Sequence, residues 1–398
     1  MTDTGHDVIV IGLGGMGSAA AWHLSRRGQR VLGIERFGPA HDRGSSHGAT
    51  RMIRQAYFED PAYVPLLLRA YELWDDLTAQ AGHPMIHRTG GLMIGDPAST
   101  AVVGALASAR AHDLPHELLD SVQIRRRYPT LTPAVHEVAF YEDNAGWVRP
   151  EDTVRTHLDL ARRAGADLLF DTPVVGWDTT GRGVTVSTPD AVHTADRVVI
   201  TAGAWAPQLL QRVGLPLTVE RQVQHWYNPA GGLAAFTGHP VYIWEDPDGV
   251  QFYGFPAVDG PDGGVKVAFF RRGRVTDPDA LDTTVSAAEI EEMTSWVRDR
   301  VPGLAGTHLR AEPCLYTNTP DQDFVIDHLP GHPEVVIAAG FSGHGFKFVP
   351  VVGELLADLG TNGASPLPHE LFSTSRFTTT ATSPTAAATT ITGPRGSC

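Results

Sequence analysis

Three glycines and one acid set the first chemical constraint. Gly12, Gly14 and Gly17 stand as GxGxxG between an apolar run, DVIVIG, and a run of small and apolar residues at helical spacing, and Glu35 ends the next apolar run, RVLGIE. In that context the first glycine permits a tight turn, the second lets backbone approach a pyrophosphate, and the third lets helix and strand pack closely. The helix N-terminus meets the phosphate charge and the acid accepts the ribose hydroxyls. The acid also argues against a 2′-phosphate. Dinucleotide binding is therefore expected, with FAD and NAD both left open by the motif.

The cations carry a second signal. Of 31 lysines and arginines only Lys266 and Lys347 are lysines. A chain that writes its other cations as arginine has little reason to keep lysine, chance apart, except where a compact ammonium does what a planar guanidinium cannot. Arg51 and Arg54 are three residues apart, which on a helix places them on one side; taken alone such a pair reads as an exposed salt-bridging face. Two cysteines, Cys314 and Cys398, cannot make a disulfide framework, and a lone buried cysteine such as Cys314 is by itself a small hydrophobe. The 18 histidines show no HExxH and no Cys/His ligand spacing, so no metal is expected.

The elements that must position these residues read as two kinds. A βαβ unit opens the chain, and EDTVRTHLDLARRAGADLLF with TPVVGW, RVVITAGAW, EVVIAAG and the helix VPVVGELLADL continue the same nucleotide-binding layer. The glycine turns at TAGAW (201–205) and in AAGFSGHGFKF exceed what a nicotinamide site needs and suit an FAD spanning the domain. RTGGLMIGD, VERQVQHWYN, PVYIWEDPDGVQFYGFP and GVKVAFFRRGRV look instead like antiparallel strands with turn signals. The expected fold is α/β: a Rossmann-like FAD-binding domain built from discontinuous segments (1–85, 145–215 and 320–377) with an inserted mixed antiparallel-sheet substrate domain (86–144 and 216–319). Residues 378–398, rich in Thr, Ala and Pro, are expected to be disordered.

Composition bounds the partners. A net charge of −14 argues against nucleic acid, and the triplet Arg125, Arg126, Arg127 reads as a solvated helix face. No apolar run reaches the roughly 20 residues that span a bilayer, and the N-terminus shows no signal-peptide pattern, so a cytoplasmic location is expected.

GSSHGATRMIRQAY (44–57), YVPLLLRAYELW (63–74), PCLYTNTPDQDFVID (313–327) and GFSGHGFKF (340–348), added to the N-terminal βαβ, resemble the monomeric sarcosine oxidase and N-methyltryptophan oxidase group of the D-amino-acid oxidase-like flavoproteins. The resemblance runs from about residue 5 to about 377. It implies that Cys314 carries the flavin covalently through the 8α methyl group, and that Arg54 and Lys347 hold the substrate carboxylate. It puts Lys266 on the opposite flavin face, where O2 is reduced, and has His47 and Arg51 line the flavin. Tyr253 and Tyr316 become active-site aromatics, and Gly343 and His344 part of the cofactor site. The resemblance favours a monomer acting on a small amino acid with O2.

The chain departs from that group in two places. Phe270 stands where the sarcosine oxidases carry a histidine close to the substrate, with Arg271 beside it, and His-His-Gly-Asp becomes Ser46, His47, Gly48 and Ala49. A substrate larger or more apolar than sarcosine is the expectation. The implied reaction is oxidation of an N-methyl amino acid to an imine, which hydrolyses to the amino acid and formaldehyde with release of H2O2. The alternatives are a cyclic imino acid substrate, or a dehydrogenase using another acceptor.

Overall fold

The computed structural model describes residues 5–181 and 183–377; the segment expected to be disordered, 378–398, lies outside them. Its first sheet is built around His6–Ile11, which pairs in parallel with Val31–Ile34 on one side and Val192–Ile200 on the other. Asp167–Leu169 adds to the first of these and His332–Ala339 to the second, both in parallel. Four of the six residues of His6–Ile11 are buried, the pattern of a parallel strand covered on both faces. The helix Gly15–Ser25 follows at once and packs on Val349–Asn362 through its small residues: a Cβ on Gly353 would lie 2.6 Å from that of Ala19. Pro150–Arg163 also packs on Gly15–Ser25, with its acidic first turn and basic last turn matched to the helix dipole.

A second sheet of nine strands takes its strands from residues 91–142 and 218–318. Its spine is Thr218–Asn228, which pairs antiparallel with both Val265–Phe270 and Thr307–Asn318. Residues opposite one another across a ladder share a face, as do alternate residues along a strand. The register sets Gln222 against Cys314, Glu220 against Tyr316, Trp226 against Lys266 and Gln224 against Ala268; Gln251–Gly254 adds Tyr253 against Ala268. One face of this sheet thus carries Cys314, Tyr316, Gln224, Lys266, Phe270 and Tyr253. The opposite face, with Phe252, Val265 and Val267, forms an apolar core with Met293 and Val297 of the helix Ala287–Arg300. That helix starts from a capping box, Ser286 with Glu289.

A small third sheet joins Arg51–Ile53 and Ile86–Arg88 through Gly146–Val148. Arg125, Arg126 and Arg127 end a short helix, Ser121–Arg127, and are themselves exposed while Ser121 and Ile124 are buried. Among the described residues no helix is long and apolar enough to cross a membrane.

Candidate active site

The glycine motif forms a strand-to-helix turn over a cavity of about 470 Å³. Gly12 has φ +87°, and a Cβ there would lie 2.7 Å from the Thr201 carbonyl oxygen; a Cβ on Gly17 would collide with the carbonyl oxygen of Gly12. Both positions therefore require glycine, one for conformation and one for packing. Gly14 differs: a Cβ there meets only Ser46 Oγ, at 3.8 Å, so its backbone is open to the cavity. Glu35 lies on the cavity wall and accepts from Leu13 N (2.7 Å) and Phe37 N (3.0 Å). The carboxylate thus ties the turn to the second strand and keeps lone pairs for a ligand.

From Glu35 and the glycine turn the same cavity runs to Ser45, Arg51, Leu315, Tyr316 and the Gly340–Gly345 turn. An elongated dinucleotide fits this shape, with phosphates at the turn and a ring system at the sheet face bearing Tyr316. Gly343, at φ +79°, packs so tightly on the Tyr316 ring that a Cβ would overlap it.

Cys314 lies two residues before Tyr316 on the same face and is buried. Burial pushes its thiol pKa up, while Arg51, Lys266 and the Gln224 side chain act in the other direction. Lys266 is buried too, and its ammonium donates to the carbonyl oxygens of Gly48 (2.8 Å) and Thr50 (2.6 Å) and to Gln224 Oε1 (3.1 Å). Burial and the neighbouring Arg51 push the Lys266 pKa well below its usual value; three acceptors on three donors favour the charged form. Gly48 has φ +93°, and a Cβ there would strike the Gln224 amide. Its N–H and that of Ala49 bond Glu151 Oε1 at 2.7 and 3.1 Å, so the first turn of Pro150–Arg163 fixes the loop on which Lys266 hangs.

His47, buried and beside Arg51, has its pKa lowered to about 4 by burial and then by that guanidinium. Its ring is neutral at pH 7. Arg51 donates to the carbonyls of Thr50 and Ser45, both at 2.8 Å, and lines the first cavity. The segment from Arg51 to Arg54 is not helical: Arg51–Ile53 is a strand, so residues three apart point to opposite sides and the two arginines do different work.

Arg54 belongs to a second cluster. Its Nη2 donates to Glu59 Oε2 at 2.6 Å and its Nη1 to the Ala56 carbonyl at 3.0 Å, leaving Nε and Glu59 Oε1 without partners. Although burial opposes it, Arg54 holds the Glu59 carboxyl down at about 2. The guanidinium lies over the rings of Tyr57 and Phe58, at 4.4 and 4.3 Å. Lys347, in the short 3-10 helix Phe346–Phe348, donates to the His344 carbonyl at 2.7 Å, and the Trp74 indole holds its backbone carbonyl at 2.9 Å. Burial, then Arg54, pushes the Lys347 pKa down to about 7. The His344 ring bonds the Tyr57 hydroxyl and the Gln322 carbonyl, and burial lowers its pKa to about 3.

A second cavity, of about 530 Å³, is walled by Phe58, Glu59, Phe270, Arg271 and His344 among others. Phe270 meets Tyr316 edge to face at 6.3 Å, so these rings stand between the two cavities. Tyr253 joins the first group: its phenol pKa is raised to about 12 by burial, and it neighbours Cys314 and Tyr316.

The expected site residues therefore fall in three places: the dinucleotide turn (Gly12, Gly14, Gly17, Glu35), the sheet face with its loop (His47, Arg51, Tyr253, Lys266, Cys314, Tyr316, Gly343), and the second cavity, where Phe270 and His344 line the wall and Arg54 and Lys347 lie behind it, bonded to Glu59 and to the His344 carbonyl. Glu59, Tyr57, Gln224 and Glu151 were not foreseen. Only Glu59 left a trace in sequence, an acid five residues after an arginine. Among the described residues no group of three or more His, Cys, Asp or Glu could hold a metal.

The family FAD dependent oxidoreductase (DAO) matches residues 7–359. The chain is 55% identical over 375 residues to the monomeric sarcosine oxidase of Streptomyces avermitilis, covering 94% of this chain and 98% of that protein. It is 38% identical to the N-methyl-L-tryptophan oxidase of Yersinia pestis, over 94% and 99% of the two chains. Among solved structures it resembles NikD, an unusual amino acid oxidase essential for nikkomycin biosynthesis (TM-score 0.81, 25% identity, 93% and 97% covered). The L-proline dehydrogenase from P. horikoshii gives a TM-score of 0.81 at 25% identity, with 94% and 98% covered. The chain belongs to the FAD dependent oxidoreductase family DAO, in the branch of the monomeric sarcosine and N-methyltryptophan oxidases.

Proposed function

We propose that this FAD-dependent enzyme oxidises the secondary amine of an N-methyl amino acid and passes the electrons to O2. The observation that carries this reading is the separation of two buried lysines, Lys347 beside Arg54 in one cluster and Lys266 beside Cys314 in the other, each in the charge environment one half of the reaction needs. Bound in the first cavity, FAD would accept a hydride from the substrate and return two electrons to O2. Gly12, Gly14, Gly17, Glu35 and Gly343 would hold it and Cys314 would join it covalently, whereas His344, expected at the cofactor, lies on the wall of the second cavity. The cofactor domain would comprise residues 1–85, 145–215 and 320–377, and the substrate domain 86–144 and 216–319.

Arg54 and Lys347 would bind the α-carboxylate, one by a fork and one by a point charge, and so fix the N-methyl carbon for transfer. Their cationic field favours the neutral amine, whose lone pair assists hydride loss. Tyr316, Tyr253 and Phe270 would shape the substrate side, with His47 and Arg51 at the ring. Lys266 would place a fixed cation where O2 takes its first electron and becomes an anion. The imine product hydrolyses to the primary amino acid and formaldehyde, with H2O2 from O2.

Peroxide release under air across a panel of N-methyl and cyclic amino acids, compared with one artificial electron acceptor, tests the reading. Turnover with the artificial acceptor alone would replace the oxidase with a dehydrogenase.

A further inference from the structure

Arg271 and Arg272 are neighbours with different fates. Arg272 is paired with Glu292 at 2.6 Å. Arg271 makes no ion pair among the described residues: its Nε donates to the Ser342 carbonyl at 3.2 Å, its guanidinium lies 4.5 Å from the Phe270 ring, and its buried Nη2 has no partner. The backbone there is left-handed, at φ +55°, a conformation that costs a bulky non-glycine residue about 1–2 kcal/mol and persists only where the surroundings impose it. The side chain is thereby held on the wall of the second cavity, with Glu59, Phe270 and His344.

The charges on that wall do not balance. Arg271 is on the wall and two more cations lie directly behind it, Arg54 bonded to Glu59 and Lys347 to the His344 carbonyl, and the carboxylate within this cluster is Glu59, already paired with Arg54. Other acids of the cavity are engaged: Asp321 with Arg376, Asp323 with the Tyr63 hydroxyl, Asp60 with the Ala62 N–H. Asp248 is exposed at the rim, where solvent screens it. One α-carboxylate would satisfy Arg54 and Lys347 and still leave a buried guanidinium N–H without an acceptor, a costly condition for a charged group.

We propose that Arg271 binds a second carboxylate, on the side chain of the substrate, and that the preferred substrates are N-methyl derivatives of acidic amino acids. This rests on the reading that Arg54 and Lys347 take the α-carboxylate. The expectation of a larger or more apolar substrate counted Arg271 only as a cation neighbouring Phe270; in this arrangement the Phe270 ring supports the guanidinium by stacking.

Equilibrium binding to the flavin-loaded enzyme isolates the subsite without turnover. Calorimetry with the dicarboxylates succinate and glutarate, against the monocarboxylates propionate and butyrate, should show the better dicarboxylate binding about tenfold to a hundredfold more tightly than its monocarboxylate partner, the usual worth of a buried charge-assisted bond. Arg271→Gly relieves the left-handed strain, so it should fold, and should bring that ratio close to one with monocarboxylate binding little changed. Arg271→Gln should lose the preference likewise. In turnover N-methyl-L-glutamate should outrun N-methyl-L-glutamine in the wild type and lose that lead in Arg271→Gly. Equal affinity for the two classes in the wild type, or a dicarboxylate preference that survives Arg271→Gly, overturns the proposal while leaving the α-carboxylate site intact. Failure of every carboxylate to bind overturns both.

Discussion

Arg54 and Glu59 form an ion pair of 2.6 Å in which the guanidinium is 2% exposed, so the arginine assigned to the substrate carboxylate already holds a carboxylate of the protein. A substrate must compete with Glu59 or use the open Nε. Arg54→Ala and Lys347→Ala should each weaken binding of a carboxylate inhibitor by about 1.5–3 kcal/mol, the range for hydrogen bonds to charged groups. Glu59→Gln keeps an acceptor but removes the competing charge, and should tighten it. Wild-type affinity in both alanine variants would remove Arg54 and Lys347 from the site.

Lys347 makes carboxylate binding depend on pH in a stated direction. Its pKa in the free protein is about 7, and a bound carboxylate favours the charged form. A carboxylate inhibitor lacking an amine, which does not itself titrate in this range, should therefore bind best below pH 7. Its affinity should fall as pH rises, by up to roughly tenfold per unit, until the pKa of the complex is reached. The slope should disappear in Lys347→Met, whereas a slope retained there belongs to another group.

The flavin linkage at Cys314 has a simple check. Acid-precipitated wild-type protein should stay yellow, and Cys314→Ser should release free FAD into the supernatant while Cys398→Ser behaves as wild type. Free FAD from the wild type rules the linkage out.

Phe270 narrows the space beside Tyr316, their rings lying 6.3 Å apart, and offers no polar atom. Sarcosine should be a poor substrate, and Phe270→His should raise its kcat/KM relative to larger N-methyl amino acids. A wild-type preference for sarcosine over every larger analogue contradicts this.

Lys266 separates the two half-reactions. Lys266→Met keeps roughly the side-chain length and deletes the charge, so anaerobic reduction by substrate should change little while reoxidation slows. Loss of one preorganised electrostatic contact costs about 100-fold or more, and Lys266→Arg should recover part of it. Stopped-flow mixing of reduced enzyme with O2 reads this step alone, and an unchanged rate in Lys266→Met would falsify the assignment.

Local chemistry determined what could be read without coordinates. Gly12 and Gly17 are demanded by a turn and by a contact within one βαβ unit, so their spacing with Glu35 carried the dinucleotide turn from sequence alone. The two lysines stood out because a compact ammonium and a guanidinium are not interchangeable. Strand and helix types followed from apolar periodicity, as in His6–Ile11 and Val349–Asn362. Tertiary structure decided everything that depends on pairing between distant segments. The register of Thr218–Asn228 with two other strands sets Lys266, Gln224 and Cys314 on one face, and no local pattern encodes which strands become neighbours. A strand in place of the helix imagined for Arg51 and Arg54 sent Arg51 to the first cavity and Arg54 to Glu59, behind the wall of the second. The ion-pair partner of Arg54, and the lack of one for Arg271 among the described residues, are likewise matters of distance in space. A charged side chain takes its meaning from what it is buried against, and that is settled only when the chain has folded.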